Sequence, residues 1–484
     1  MRKSKRAILA LLLVFGIILL SGCGIFSFSE VDTKKEETTV PEETEPFEEL
    51  PVVEESFGGE IKYFLNDLSG NNYGGAAARI VTAKKDLIIP DDNTGTVISQ
   101  KAVERNKAVE DALGISVSAE ERDADTMLQE LKAAVRSGDY YADAVMFPQD
   151  MIGAYVTGDA IINMKSLPGF KTDAKYYYQS AVAAGTGGEA IYAVAGPASL
   201  NADGLSCIYF NKAIIEAAGL ESPYDLADRG EWTIDKYLEY MNSAEGLSEE
   251  YYGYGAQNTS TYLTDLLFFG CGETFTKSTF GYYPALTLGS EKTGAVIDKI
   301  KSVTVNGPKT VSALTAIDTF NGGKMLFLVD RLDTMKTLAN SKTDWGILPI
   351  PKYDSAQEKY LTLANYEDAM FFGAVSTAPN YEMSADVIEC MNIYSYGEMR
   401  SAYVKNAMYY YLRDNASVRM LDTIVREPVF DFAYSFASTY NAIPSATFMA
   451  VRNTVSGVSS LERYLNMWQR QFESSMYYLF DVQE

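Results

Sequence analysis

The 484-residue sequence contains no histidine but 65 aspartate and glutamate residues. Without imidazole, Ser-His-Asp and Cys-His nucleophiles are excluded, as is any zinc site that depends on histidine. What remains is carboxylate chemistry, which for glycoside hydrolysis needs two acids about 5–10 Å apart. No segment sets out such a pair. Cys207, Cys271 and Cys390 are far apart, lack a CxxC pattern and are odd in number. They predict buried thiols rather than disulfides or a metal knuckle. Asp91-Asp-Asn-Thr-Gly95 offers calcium-type oxygens without the distal Glu and reads as a turn. No metal and no cofactor are expected. The residues with chemical meaning are those of non-covalent recognition. Phe147-Pro-Gln149-Asp150 follows a predicted parallel strand, and ligands of open α/β sheets sit beyond carboxyl strand ends. A flat ring beside an amide and a carboxylate suits a sugar, whose apolar face needs cover and whose hydroxyls need partners. Strand core followed by a solvated turn is the plainer alternative.

The N-terminus places these residues outside the cytosol. Arg2, Lys3, Lys5 and Arg6 precede fourteen uncharged residues, Ala7 to Leu20, and then Ser21-Gly22-Cys23. A basic start, a short apolar run and small residues at a cut make a secretory signal, too short to span a bilayer. A cysteine directly after the small residues resembles the bacterial lipoprotein cleavage site. That resemblance makes residues 1–22 a signal peptide and Cys23 the acylated first residue of the mature chain. Loss of the four basic residues takes the formal charge from −24 to −28. Such a surface repels nucleic-acid phosphates and anionic head groups, so membrane attachment falls to the acyl chains. Residues 23–59 carry ten glutamates, from Glu30 to Glu55, among Thr, Val and Pro. They read as a disordered acidic tether, too poor in apolar surface to offset ordering.

From residue 60 the pattern alternates helix and strand. Residues 98–113 put Ala102, Val109, Ala112 and Leu113 on one face and Glu104, Arg105, Lys107 and Asp111 mostly opposite, with Gly114 as a stop. Ile115-Ser-Val117 reads as a strand, and Thr126 with Gln129 as a capping box for a helix that Gly138 ends. Asp143 to Phe147 is a buried strand. Cys207 to Phe210 leads into a helix stopped by Gly219, Thr233 caps another, and residues 316–329 give helix, turn and strand. This alternation predicts α/β layers with largely parallel sheets.

Several segments, in order, carry a resemblance: Arg105-Asn106-x-x-Val109-Glu110-x-x-Leu113-Gly114, Gly138-Asp-Tyr-Tyr-Ala-Asp143, and Tyr209-Phe-Asn-Lys212 with Glu216-Ala-Ala-Gly-Leu220. Pro223-Tyr-Asp-Leu226 with Gly230-Glu-Trp-Thr233, Phe320-x-x-Gly323-Lys324 and Trp345-Gly-Ile-Leu-Pro-Ile-Pro-Lys-Tyr353 extend it. Downstream of a lipoprotein signal, they resemble the extracellular solute-binding proteins of ABC importers, the family of the maltodextrin-binding proteins. The resemblance implies a two-lobed periplasmic-binding-protein fold of type II, each lobe a mostly parallel sheet flanked by helices, with a ligand cleft between lobes. It puts residues 60–200 and 330–379 in lobe one and residues 201–329 and 380–484 in lobe two. The crossings then fall near 195–205, 329–331 and 378–382.

By that resemblance the cleft receives Phe147, Gln149 and Asp150 from lobe one. Asn201, Asp203 and Ser206 come from the first crossover, and Asn258 and Tyr262 from lobe two. Asp330 and Arg331 come from the second crossover, Asn365 and Tyr366 from the segment before an apolar strand, and Phe448 stands where the maltodextrin binders carry a stacking Trp. Turns, packed loops and an interlobe salt bridge are the competing readings of these positions. The implied function is a monomeric, lipid-anchored receptor on the extracytoplasmic face of the membrane. It binds a small solute, a carbohydrate by resemblance, and passes it to ABC permease subunits without catalysis. A surface glycoside hydrolase with paired carboxylates and a non-transport scaffold lipoprotein are the alternatives.

Overall fold

The computed structural model describes residues 57–66, 68, 70–91, 95–167, 169–199, 202–259 and 262–480. The signal peptide, Cys23, almost all of the acidic stretch 23–59, and Asn201 lie outside the described residues. Two four-stranded sheets organise the rest. The first uses β1 (Ala76–Thr82), β2 (Ile115–Glu121) and β3 (Ala144–Pro148). The second uses β4 (Ser206–Asn211), β5 (Tyr252–Ala256), β6 (Met325–Arg331) and β7 (Trp345–Leu348). The chain then returns to the first sheet with β8 (Met370–Ala374). The strand orders are β8-β3-β1-β2 and β7-β4-β6-β5.

Local chemistry accounts for the first sheet. The helix Val97–Leu113 starts at Thr96, whose side chain accepts from the Ser99 amide, and ends at Gly114 with φ of 61°. That left-handed turn feeds β2, which runs parallel to β1. The next helix, Ala124–Ser137, is capped by Asp123, not by Thr126. The Asp123 carboxylate accepts from the Thr126 amide, and the helix stops at Gly138 as the sequence predicts. Side chains alternate across the strands. Ala78, Ile80, Ala144, Met146 and Phe372 join one apolar cluster. Val81, Val145, Phe147 and Phe371 join the other, with Leu128 and Leu131 of the second helix.

The second sheet is mixed rather than mostly parallel. β4 runs antiparallel to both β6 and β7, and only β5 and β6 are parallel. β4 is the strand by which the chain first reaches this sheet, so its direction is set by the crossover and not by a strand-helix-strand repeat. The return crossing, expected near 329–331, lies after Leu348, because β7 pairs with β4. Residues 330–348 thus belong with lobe two. The helix Tyr381–Ser395, expected in lobe two, packs on the first sheet: Val387, Ile388, Cys390 and Met391 share a cluster with Ala78 and Ile80. The first boundary is legible only through strand pairing and the second only through side-chain packing, since neither stretch carries a mark of which sheet it joins.

Arg105, expected on the solvent face, is buried at 3 % exposure. Its guanidinium donates to the Leu87 and Ile88 carbonyls and to Asn106 Oδ1, tying down the loop after β1. Burial pulls its pKa down to about 10. Cys207, Cys271 and Cys390 are free and buried, as their spacing predicts. No described helix is long and apolar enough to cross a membrane.

Candidate functional site

The ends of β3 and β6 meet the segment that enters β8, and most of the residues that the sequence assigns to recognition gather there. β6 delivers Asp330 and Arg331. Arg331 Nη1 lies 2.9 Å from Asp368 Oδ2, and its Nη2 lies 2.7 Å from Asp333 Oδ2. Asn365 Nδ2 donates to the same Asp368 oxygen at 3.3 Å, and Lys84, just past β1, stands 3.8 Å from Asp368 Oδ1. Asp368 therefore joins a cation from each sheet. The carboxylate of Asp330 is fully buried and accepts from the Asn258 amide, Asn258 Nδ2 and the Arg331 amide at 3.2, 3.3 and 2.9 Å. Burial still pushes its pKa up to about 6. Beside it Tyr262 Oη meets Ser206 Oγ at 3.4 Å.

A ladder of rings flanks these charges. Tyr434 lies between Tyr366 and Phe448, with ring centroids 4.6 and 5.2 Å apart and planes within 11° and 8°. Arg452 stands 4.9 Å from the Phe448 centroid. Tyr434 Oη donates to Asp265 Oδ2 at 2.5 Å, and Asp265 also pairs with the Arg452 guanidinium. Tyr366, partly exposed at the end of the ladder, has one face covered by Tyr434.

Phe147 is not so placed. It is 0 % exposed, and its ring stacks on Tyr155 at 4.1 Å within 6°. As an odd member of β3 it points with Val145 into the core, one register away from the strand end. Gln149 is also fully buried, with Nε2 donating to the Asp431 carbonyl and to Ser435 Oγ at 2.8 and 3.2 Å. Asp203 borders the Arg331 cluster through its backbone, whose carbonyl accepts from the Asp333 amide at 3.2 Å, but its carboxylate is engaged elsewhere. It accepts from Tyr403 Oη at 2.8 Å and pairs with Lys336. Asn258, Tyr262, Asp330, Arg331, Asn365 and Tyr366 thus come together, while Phe147, Gln149 and Asp203 are taken by other partners. Residues that the sequence reading left out are Lys84, Asp333 and Tyr434, together with Asp265 on the helix Leu263–Gly270. Asp333, two places beyond Arg331, carried a signal; the others carried none.

Asp150 is partly buried. Burial first, and then the nearby Glu367 charge, push its carboxyl up to about 6 from an ordinary 3.8. The unfolded chain holds that proton less tightly, so native stability falls as pH rises from about 4 through 6. Asp150→Asn removes this penalty, at most about 3 kcal/mol. The variant should therefore unfold at higher urea than the parent at pH 7.5 and at the same urea at pH 4. Equal midpoints at pH 7.5 would show that the carboxylate carries no strain.

A family model described as bacterial extracellular solute-binding protein matches residues 104–392. The chain belongs to that family. Solved structures share the fold of this solute-binding protein. One is an ABC substrate-binding protein from Listeria monocytogenes in complex with cycloalternan. It is 12 % identical with a TM-score of 0.50, over 83 % of this chain and 99 % of that one. Another is a cyclo/maltodextrin-binding protein complexed with maltotetraose. It is 16 % identical with a TM-score of 0.54, over 83 % of this chain and 97 % of that one. No curated protein matches the solute-binding chain in sequence.

Proposed function

We propose that the chain is the lipid-anchored receptor of an ABC importer, held outside the membrane through Cys23, and that it closes on a saccharide between its lobes without catalysing a reaction. The observation that carries this is the joining of Lys84 and Arg331, from the two sheets, through Asp368, beside the partly exposed ring of Tyr366. A solute held there touches both lobes only when they are shut, so its binding energy favours the closed form. A ring next to charged and amide groups suits a sugar. The solved relatives bound to cycloalternan and maltotetraose support that class. Asp333 and Asp368 are engaged with Arg331, and Asp330 with Asn258, which argues against a hydrolytic carboxylate pair.

A thermal-shift panel of mono- and oligosaccharides, amino acids and peptides tests the reading. A saccharide at a hundred times its Kd should stabilise the chain by about 2.7 kcal/mol. Arg331→Ala and Tyr366→Ala should each abolish that shift. Stabilisation by peptides or amino acids alone, or unchanged saccharide binding in both variants, would refute it.

A further inference from the structure

The part of the cleft that the sequence assigns to Phe147 and Gln149 is filled by the chain itself. Residues 431–439 are anchored in lobe two. The Asp431 carboxylate accepts from the Phe275 and Thr276 amides and from Thr276 Oγ1, and Tyr434 donates to Asp265. From that footing the segment crosses to the strand end of lobe one. The Asp431 carbonyl and Ser435 Oγ accept from Gln149 Nε2. Phe436 and Thr439 press on Gly153, where a Cβ would fall 2.6 Å from Thr439 Cγ2, 3.1 Å from Phe436 Cδ1 and 3.2 Å from Phe436 Cα. Gly153 thus leaves a notch into which lobe two inserts. The fit satisfies Gln149 only in part: its Oε1 is buried and has no partner. A buried acceptor without a donor is costly, and a sugar hydroxyl is a donor of the right size.

We propose that residues 431–439 are a built-in occupant of the lobe-one end of the cleft, which limits the solute to a short saccharide held between Tyr366 and Arg331. The segment competes with any sugar unit extending toward Gln149. It also draws the lobes together before a solute arrives, so a longer saccharide must first displace it.

Gly153→Ala tests this with little harm to the helix Ile152–Val156, because alanine is the better helix former. The added methyl group pushes the segment out of its notch. Small-angle scattering of the solute-free chain should then show a larger radius of gyration, and Thr439→Ser in the same background should reverse part of the increase. An unchanged radius overturns the proposal. A second arm, which rests on the saccharide reading above, measures affinity along a maltose-to-maltohexaose series and a cellobiose-to-cellohexaose series. The native chain should gain nothing beyond the shortest binder. Gly153→Ala should gain on the order of tenfold for the longer members, about 1.4 kcal/mol. Affinity of the native chain that climbs with every added unit also overturns the proposal. If neither form binds any saccharide, the proposed saccharide function fails. The scattering arm then decides the wedge by itself.

Discussion

Phe147→Ala should lower the unfolding free energy by about 3–5 kcal/mol, the cost of emptying a large aromatic site in a packed core. The ring is fully buried against Tyr155 and shares its cluster with Val145, Leu128 and Leu131. Helix and sheet meet there on a rigid layer, so the cavity cannot collapse without moving the helix Ala124–Ser137. Tyr366→Ala should cost far less stability. Its ring is partly exposed and stacks by one face, so its removal should cost about 1 kcal/mol of ring-pair energy beyond a modest loss of buried area. Solute binding, however, should disappear. Urea unfolding followed by tryptophan fluorescence separates the two. A Phe147→Ala loss below about 1 kcal/mol, outside the range for such truncations, would return that residue to the list of solute contacts.

This contrast marks the reach of the sequence. Gly114, Gly138 and Thr233 end or cap their helices where the pattern puts them, because a glycine stop or a threonine cap acts over one turn. The strand ending near Phe147 was equally plain. Which side of that strand end meets a solute was not, since one residue of register turns a side chain from the cleft to the core. Resemblance aligns Phe147 with a platform, yet its ring is buried on Tyr155, and the partly exposed ring next to Asn365 is that of Tyr366, with Tyr434 behind it. Tyr434 meets Asp265 from 169 residues away, and Gln149 meets Asp431 from 282 away. Neither partner has a local pattern to announce it. The lobe boundaries are hidden for the same reason: Trp345–Leu348 is buried throughout and Tyr381–Ser395 mixes apolar with buried polar residues, and only strand pairing for the one and packing for the other tell which sheet they join.

Asp265 shows how such a long-range contact sets both stability and site. Its side chain is fully buried, and burial pushes its carboxyl above the ordinary range even though Arg452 pulls it down. It accepts from Tyr434 Oη and pairs with the Arg452 guanidinium, whose carbon lies over Phe448. Asp265→Ala leaves a largely buried cation without its anion and a buried hydroxyl without its acceptor, and should cost about 3–5 kcal/mol. The loss should extend to recognition. With Tyr434 released, the ring behind Tyr366 is no longer fixed, and saccharide affinity should drop although no solute contact has been changed. Pairing Asp265→Leu with Arg452→Met removes both charges together. If the ion pair contributes position rather than net stability, this double variant should recover most of the unfolding free energy. It should not recover solute affinity, because the hydroxyl of Tyr434 still lacks its anchor. Recovery of both would mean that apolar packing alone holds the ladder in place.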